Sequence, residues 1–188
     1  MLSVKTSPVG VDIPVQGLQI FLYNQLKAKW NITDTEFESY GRSYRNKTDK
    51  GYIPEVFQSS SQPGNTVYKP VEFDETVNKA LFFFDAYDDV KYSKGTSSVK
   101  VDIIFLVNVA LLKPLLAHRG DEEIRNDVER LMAQKRFSFT MTGYATGFKN
   151  VFNRFDGLMS KEQVTFKDLH PIHVFKITAD LIYNINDC

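Results

Sequence analysis

The chain has 188 residues, 43% of them apolar and 24% charged, a composition that fits one globular domain with a real core. Its 23 basic and 23 acidic side chains cancel, which excludes a global field able to hold the protein on nucleic acid or an anionic membrane by charge alone. A single cysteine, Cys188, excludes an internal disulfide and a thiolate metal cluster; no apolar run suits a signal peptide or membrane span, so folding in a reducing cytosol is expected.

Residues 1 to 11, with Pro8 and Gly10 and no periodicity, are expected to be a flexible arm that orders only against something else. Asp12 as N-cap and Pro14 in the first turn open a helix over 13 to 30. Its stripe is Val15, Leu18, Leu22, Leu26 and Trp30, at three- and four-residue spacing. Ile20 and Phe21 lie off that stripe and offer a second contact.

A hairpin follows, in which Tyr40-Gly-Arg-Ser-Tyr-Arg and Tyr52-Ile-Pro-Glu-Val-Phe flank a polar turn from Asn46 to Gly51. Pro54 has no N–H to give a ladder, so its strand is expected at an edge. Residues 58 to 65 read as a loop and Val67 to Phe73 as a short strand. The strongest β signal is the alternation of Val99, Val101, Ile103, Phe105, Val107, Val109 and Leu111, with Lys100, Asp102 and Asn108 on a polar face. Leu81 to Tyr92 pairs with it across Ser93 to Thr96, and Phe82, Phe84, Ala86, Val90 and Tyr92 can share a face.

A second helix starts at Asp121-Glu-Glu and closes at Lys135 and Arg136, in keeping with the helix dipole, and buries Ile124, Val128, Leu131 and Met132. Phe137, Phe139 and Met141 alternate as a strand. Phe148, Val151, Phe152 and Phe155 form a short aromatic helix ending at Gly157. After Pro171 a last strand alternates Phe175, Ile177, Ala179, Leu181, Tyr183 and Ile185 with Lys176, Thr178, Asp180 and Asn184. The order predicts an α+β fold: a largely antiparallel sheet, two main helices packed on one face, and a protruding β-hairpin arm, with residues 12 to 188 as one domain.

Reactive groups are sparse. Asp168, His170 and His173 are the best set for zinc or iron, but the two histidines are an odd number of residues apart and would face opposite sides of a strand. A turn leading into the last strand is the better reading. His118 lies in the loop before the acidic helix, and Cys188 reads as a free surface thiol. Gly143-Tyr-Ala-Thr-Gly147 lacks the Lys-Ser/Thr of a phosphate loop. Asp85, Asp88 and Asp89 read as solvated carboxylates beside the long hairpin. No enzyme activity, catalytic residue, metal or cofactor is expected. Arg42, Arg45, Lys47 and Lys50 lie among Tyr40, Tyr44 and Tyr52, a mixture suited to DNA phosphates or, in preference, to docking between subunits.

The hairpin segments Tyr40-Gly-Arg-Ser-Tyr-Arg and Gly51-Tyr-Ile-Pro-Glu-Val, the strand Val101-Asp-Ile-Ile-Phe-Leu-Val-Asn-Val, the helix start Asp121-Glu-Glu-Ile and the strand His173-Val-Phe-Lys-Ile-Thr-Ala carry a resemblance. Over residues 12 to 186 the chain resembles the tail-completion or tail-terminator proteins of tailed bacteriophages, most of all those of phages of Bacteroidetes, including the crAss-like group. The loop 58 to 65 and the segment 137 to 155 depart from that pattern.

The resemblance implies a virion protein assembled in the host cytoplasm, forming a homo-oligomeric ring, a hexamer in preference to a dodecamer. The ring would join portal and head-completion proteins to the tail at the neck, around a channel through which double-stranded DNA passes without sequence-specific binding. Tyr40, Arg42, Tyr44, Arg45, Tyr52, Ile53, Phe57, Phe82 and Phe84 would then carry subunit or ring contacts, and Arg42, Arg45, Lys47 and Lys50 would face DNA. The alternatives are a DNA-contacting accessory protein using those four cations and a small metal-dependent hydrolase built on Asp168, His170 and His173.

Overall fold

The computed structural model describes residues 1–59, 66–114, 120–134, 139–158 and 170–184. In chain order these form helix α1 (Asp12–Trp30), strands β1 (Phe37–Thr48), β2 (Gly51–Ser59), β3 (Thr66–Pro70), β4 (Ala80–Ser93) and β5 (Thr96–Asn108), then helices α2 (Val109–Leu112) and α3 (Asp121–Met132). Strand β6 (Phe139–Thr146), helix α4 (Phe148–Val151), a 3-10 turn (Asp156–Leu158) and strand β7 (Ile172–Asn184) complete them. The seven strands make one sheet in the order β3-β2-β1-β4-β5-β7-β6. Every neighbouring pair is antiparallel except β1 with β4. The protein is α+β, with the largely antiparallel sheet that the alternating patterns predict.

Both main helices lie on one face. Val15, Leu18, Leu22, Leu26 and Trp30 of α1 and Ile124, Val128, Leu131 and Met132 of α3 share a core with Phe82, Phe84, Val101, Ile103, Phe105, Phe175 and Ile177. Each large side chain buried there contributes about 2 kcal/mol through the apolar area it removes from water. Asn31 ends α1 in the left-handed conformation at φ 51°, where its N–H reaches the Ala28 carbonyl. The cap position before α1 is held by Val11, and not by Asp12 as its residue type predicts, because the Asp12 carboxylate is engaged elsewhere.

The opposite face of the sheet is covered as well. Leu81, Phe83, Ile104, Leu106, Ile172 and Val174 pack under Phe148, Val151, Phe152 and Phe155. The central strands are therefore buried on both sides, a correction to the half-exposed reading of β5: Ile104 is fully buried and Asp102 is 1% exposed. That strand also stops at Asn108, whose side-chain oxygen accepts the Leu111 N–H and turns the chain into α2.

The predicted hairpin is β1–β2, closed by Asp49 and Lys50 with Thr48 opposite Gly51. It is built into the sheet through the β1–β4 pairing, and its tip is held by the 3-10 turn. β2 is not the edge strand that Pro54 predicts, since β3 lies outside it. The Pro54 carbonyl accepts the Val71 N–H at 3.0 Å, just past the last β2–β3 pair at Glu55 and Pro70, so the missing N–H removes nothing from the ladder. The tight β4–β5 turn uses Lys94 and Gly95, both at positive φ, as a two-residue hairpin with native twist requires.

Residues 1 to 11 are not a free arm. Leu2 forms a parallel bridge with Ser39, and the Ser3 N–H reaches the Ser39 carbonyl at 2.9 Å. Polar side chains of α1 hold this backbone, which the absence of periodicity did not reveal. Residues 60 to 65 of the expected loop, Lys135, Arg136, Phe137, His118, Asp168, Ile185 and Cys188 lie outside the described residues.

Candidate functional site

Three buried polar side chains, Asp85, Asp102 and Lys176, interrupt the apolar face beneath the aromatic turn. Asp85 on β4 stands opposite Asp102 on β5, and Asp102 stands opposite Thr178 on β7. Asp85, Asp102 and Lys176 are each buried. One Asp102 oxygen accepts from Lys176 Nζ at 2.8 Å and from the Tyr87 hydroxyl at 3.2 Å; the other accepts from Thr178 Oγ1 at 2.6 Å. Lys176 also donates to Asn153 Oδ1 at 3.2 Å.

Arg154 closes the cluster from above. Its Nη1 lies 3.0 Å from Asp85 Oδ2, an ion contact without the alignment of a hydrogen bond, and its guanidinium sits 3.9 Å over the Tyr87 ring. Asp88 is 3.9 Å from Arg154 and also takes Arg45, which belongs to β1. Burial pushes the Asp85 carboxyl up to about 6; Arg154 opposes that rise and the facing Asp102 adds to it. The cluster joins β1, β4, β5, β7 and the aromatic turn through charge, an arrangement able to hold these parts in one register.

The sequence reading left Asp85, Asp102 and Lys176 on a solvated face and did not single out Arg154. A signal existed. Ile104, Leu106 and Val174 have the same strand parity as Asp102 and Lys176, so the supposed polar face carries apolar residues that demand a cover.

The residues expected to carry subunit contacts fall into two groups. Tyr40, Phe82 and Phe84 are buried in the protein's own core, a correction that follows from both sheet faces being covered. Arg42, Tyr44, Arg45, Tyr52, Ile53 and Phe57 lie on the β1–β2 wing with at least part of each side chain accessible. Tyr44 stands edge-on to Tyr68 with ring centres 5.3 Å apart, and Phe57 lies 6.1 Å from Tyr68.

On one side of the wing a closed polar ring forms. Lys5 Nζ contacts Asp12 at 2.7 Å and the Tyr44 hydroxyl at 2.9 Å; Arg42 contacts Asp12 at 2.9 Å and the same hydroxyl at 3.0 Å. Burial acts to raise the Tyr44 phenol, but the two cationic donors outweigh it and hold the group below the ordinary tyrosine range. At the wing's tip the Tyr52 N–H donates to Asp156 Oδ1 at 2.7 Å, and Gly51 lies so close to Gly157 that a Cβ there would stand 2.7 Å from the Gly157 nitrogen.

The four cations predicted to face DNA do not form one groove. Arg42 turns toward Asp12 and Arg45 toward Asp88, on opposite faces of β1, and each is already paired. Lys47 and Lys50 are exposed near the tip. Of the proposed metal set, His170 is exposed, while His173 is buried on β7 and stacks on Phe175 at 5.1 Å. Among the described residues no three His, Cys, Asp or Glu side chains are placed to hold a metal. Gly147, at φ 86°, serves the turn into α4.

A further surface feature is the far end of the β4–β5 hairpin. β4 pairs with β1 only as far as Phe84, so from Val90 to Ser93 it has a partner on one side alone among the described strands. Tyr92 stands there 73% exposed. Among the described residues no helix is long and apolar enough to cross a membrane. No family model and no curated relative matches the chain.

Proposed function

We propose that this chain is a structural virion subunit that assembles into a ring at the neck or head-proximal end of a tailed-phage tail. The observation that carries the reading is the far end of the β4–β5 hairpin, a strand edge half-open among the described strands and bearing an exposed tyrosine. Such an edge offers backbone hydrogen bonds to a neighbouring chain, and an aromatic ring there supplies buried area at small entropic cost. The charge network supports a mechanical role, since it fixes the wing and the central strands in one register. The segment resemblance supplies the place in the particle. Function in this reading is shape: the ring joins head-completion and tail proteins, and DNA passes without sequence-specific contact.

Light scattering over a range of concentrations, followed by negative-stain microscopy, tests the proposal. Closed rings of the chain, alone or when purified head-completion and tail proteins are added, are expected. A chain that stays monomeric in every mixture overturns it.

A further inference from the structure

The groove between α1 and the first residues of β1 is built to read an extended backbone. The Gln16 side-chain amide takes both backbone groups of Lys5, accepting its N–H at 2.8 Å and donating to its carbonyl at 3.0 Å. Gln19 donates to the Ser3 carbonyl at 2.8 Å, and β1 supplies the parallel bridge to Leu2. Asp12 and Tyr44 receive the Lys5 ammonium. The backbone contacts fall on residues 2, 3 and 5, and β2 leaves this stretch of β1 free because its own pairing begins only at Ser43. The segment is bridged to β1 at Leu2 and held by α1 side chains in the manner of a strand-addition site.

What joins it to the helix is slight. Thr6, Ser7 and Pro8 make no hydrogen bond among the described residues, Val9 is 67% exposed, and Gly10 turns at φ 57° with open space around it. Five linker residues span at most about 17 Å when extended. The seat also leaves polar groups unsatisfied: Ser3 Oγ, Gln19 Oε1 and Ser39 Oγ are buried without hydrogen-bond partners among the described residues.

We propose that this groove is a strand-exchange site between copies of the chain, in which residues 1 to 5 of one subunit fill the α1–β1 groove of the next. The occupant is a second copy because the seat's contacts, down to the ammonium pocket for Lys5, are satisfied by this segment and every neighbouring subunit carries it. Exchange keeps all those contacts and changes only which chain supplies them. Passed head to tail around a rotation axis, it closes a ring with no free segment. At low concentration the chain's own segment fills the groove, since the short linker gives it a high effective concentration; in an assembled ring the neighbour's segment competes on equal terms. This inference rests on the ring reading.

The test places cysteines at paired positions, L2C with S39C, in full-length protein carrying C188S, and oxidises the sample where light scattering finds the assembly. The expected result is a ladder of covalent multimers on a non-reducing gel. Mixing the two single variants before assembly should likewise give a covalent heterodimer. A bond confined to single chains, with no heterodimer from the mixture, overturns exchange; if rings are still seen, the ring reading stands without it. Should S39C fail to fold, the pair K5C and Q16C reads the same seat by the same two outcomes.

Discussion

Asp85 and Asp102 are directly paired across the β4–β5 ladder, and both carboxylates are buried, 3% and 1% exposed. Two facing acids in a dry site repel each other, yet each has its own cation, Arg154 for Asp85 and Lys176 for Asp102. The pairs differ in quality. Asp102 is also held by Thr178 and Tyr87, while Asp85 relies on a poorly aligned ion contact, and burial raises its carboxyl to about 6.

Stability should therefore fall as pH rises from about 4 to about 6. In that window the unfolded Asp85 has released its proton and the folded one retains it, so the native state binds more protons and rising pH favours unfolding. The loss is on the order of 3 kcal/mol, complete once pH exceeds the folded value. Urea unfolding across this range, with D85N subtracted from the parent, isolates the contribution. A difference that does not change with pH contradicts the assignment.

Lys176→Met leaves Asp102 buried without its cation and is expected to destabilise by about 3–5 kcal/mol. Adding Asp102→Leu removes the stranded charge and should recover most of that loss. Denaturant melts of the two singles and the double give the coupling. Additive losses would show that the pair does not act as a unit.

Gly157→Ala places a Cβ 2.8 Å from the Tyr52 carbonyl and 2.9 Å from the Gly51 backbone, so the 3-10 turn must move off the wing. A loss of about 1–3 kcal/mol is expected, with faster hydrogen exchange at the Tyr52 amide because its Asp156 acceptor moves away. Unchanged protection at that amide would mean that the tip is held by other contacts.

Tyr92→Ser should leave the thermal midpoint nearly unchanged, a shift within about 0.5 kcal/mol, because the side chain is exposed on the isolated chain. The same substitution should weaken assembly at least tenfold in light-scattering titrations if the hairpin edge is a subunit contact. Full assembly by the variant removes this surface from the proposal.

Much of the fold was legible in local pattern. α1, α3, the β4–β5 hairpin and β7 emerge from spacing because each buries one continuous apolar stripe. Pro54 misled because an edge was inferred from a missing donor, while the structure seats that donor position just beyond a ladder's end. Asp12 misled in the same way: its residue type suits a cap, but Lys5 and Arg42 compete for its oxygens. Periodicity also has nothing to say about a strand held by glutamine side chains, so residues 1 to 5 read as an arm.

The sequence alone determined most of the residues that face α1 and α3, since that information is carried by periods of two and of three to four residues; Leu111 and Tyr92, expected on that face, are exposed where the strand has ended or the helices no longer cover it. Only the tertiary structure decided what closes the other face, because the cover is a short aromatic turn whose docking depends on contacts far apart in the chain. Burial of Asp85, Asp102 and Lys176 follows from that cover, and a charged residue on a strand looks the same in sequence whether water or Arg154 lies above it.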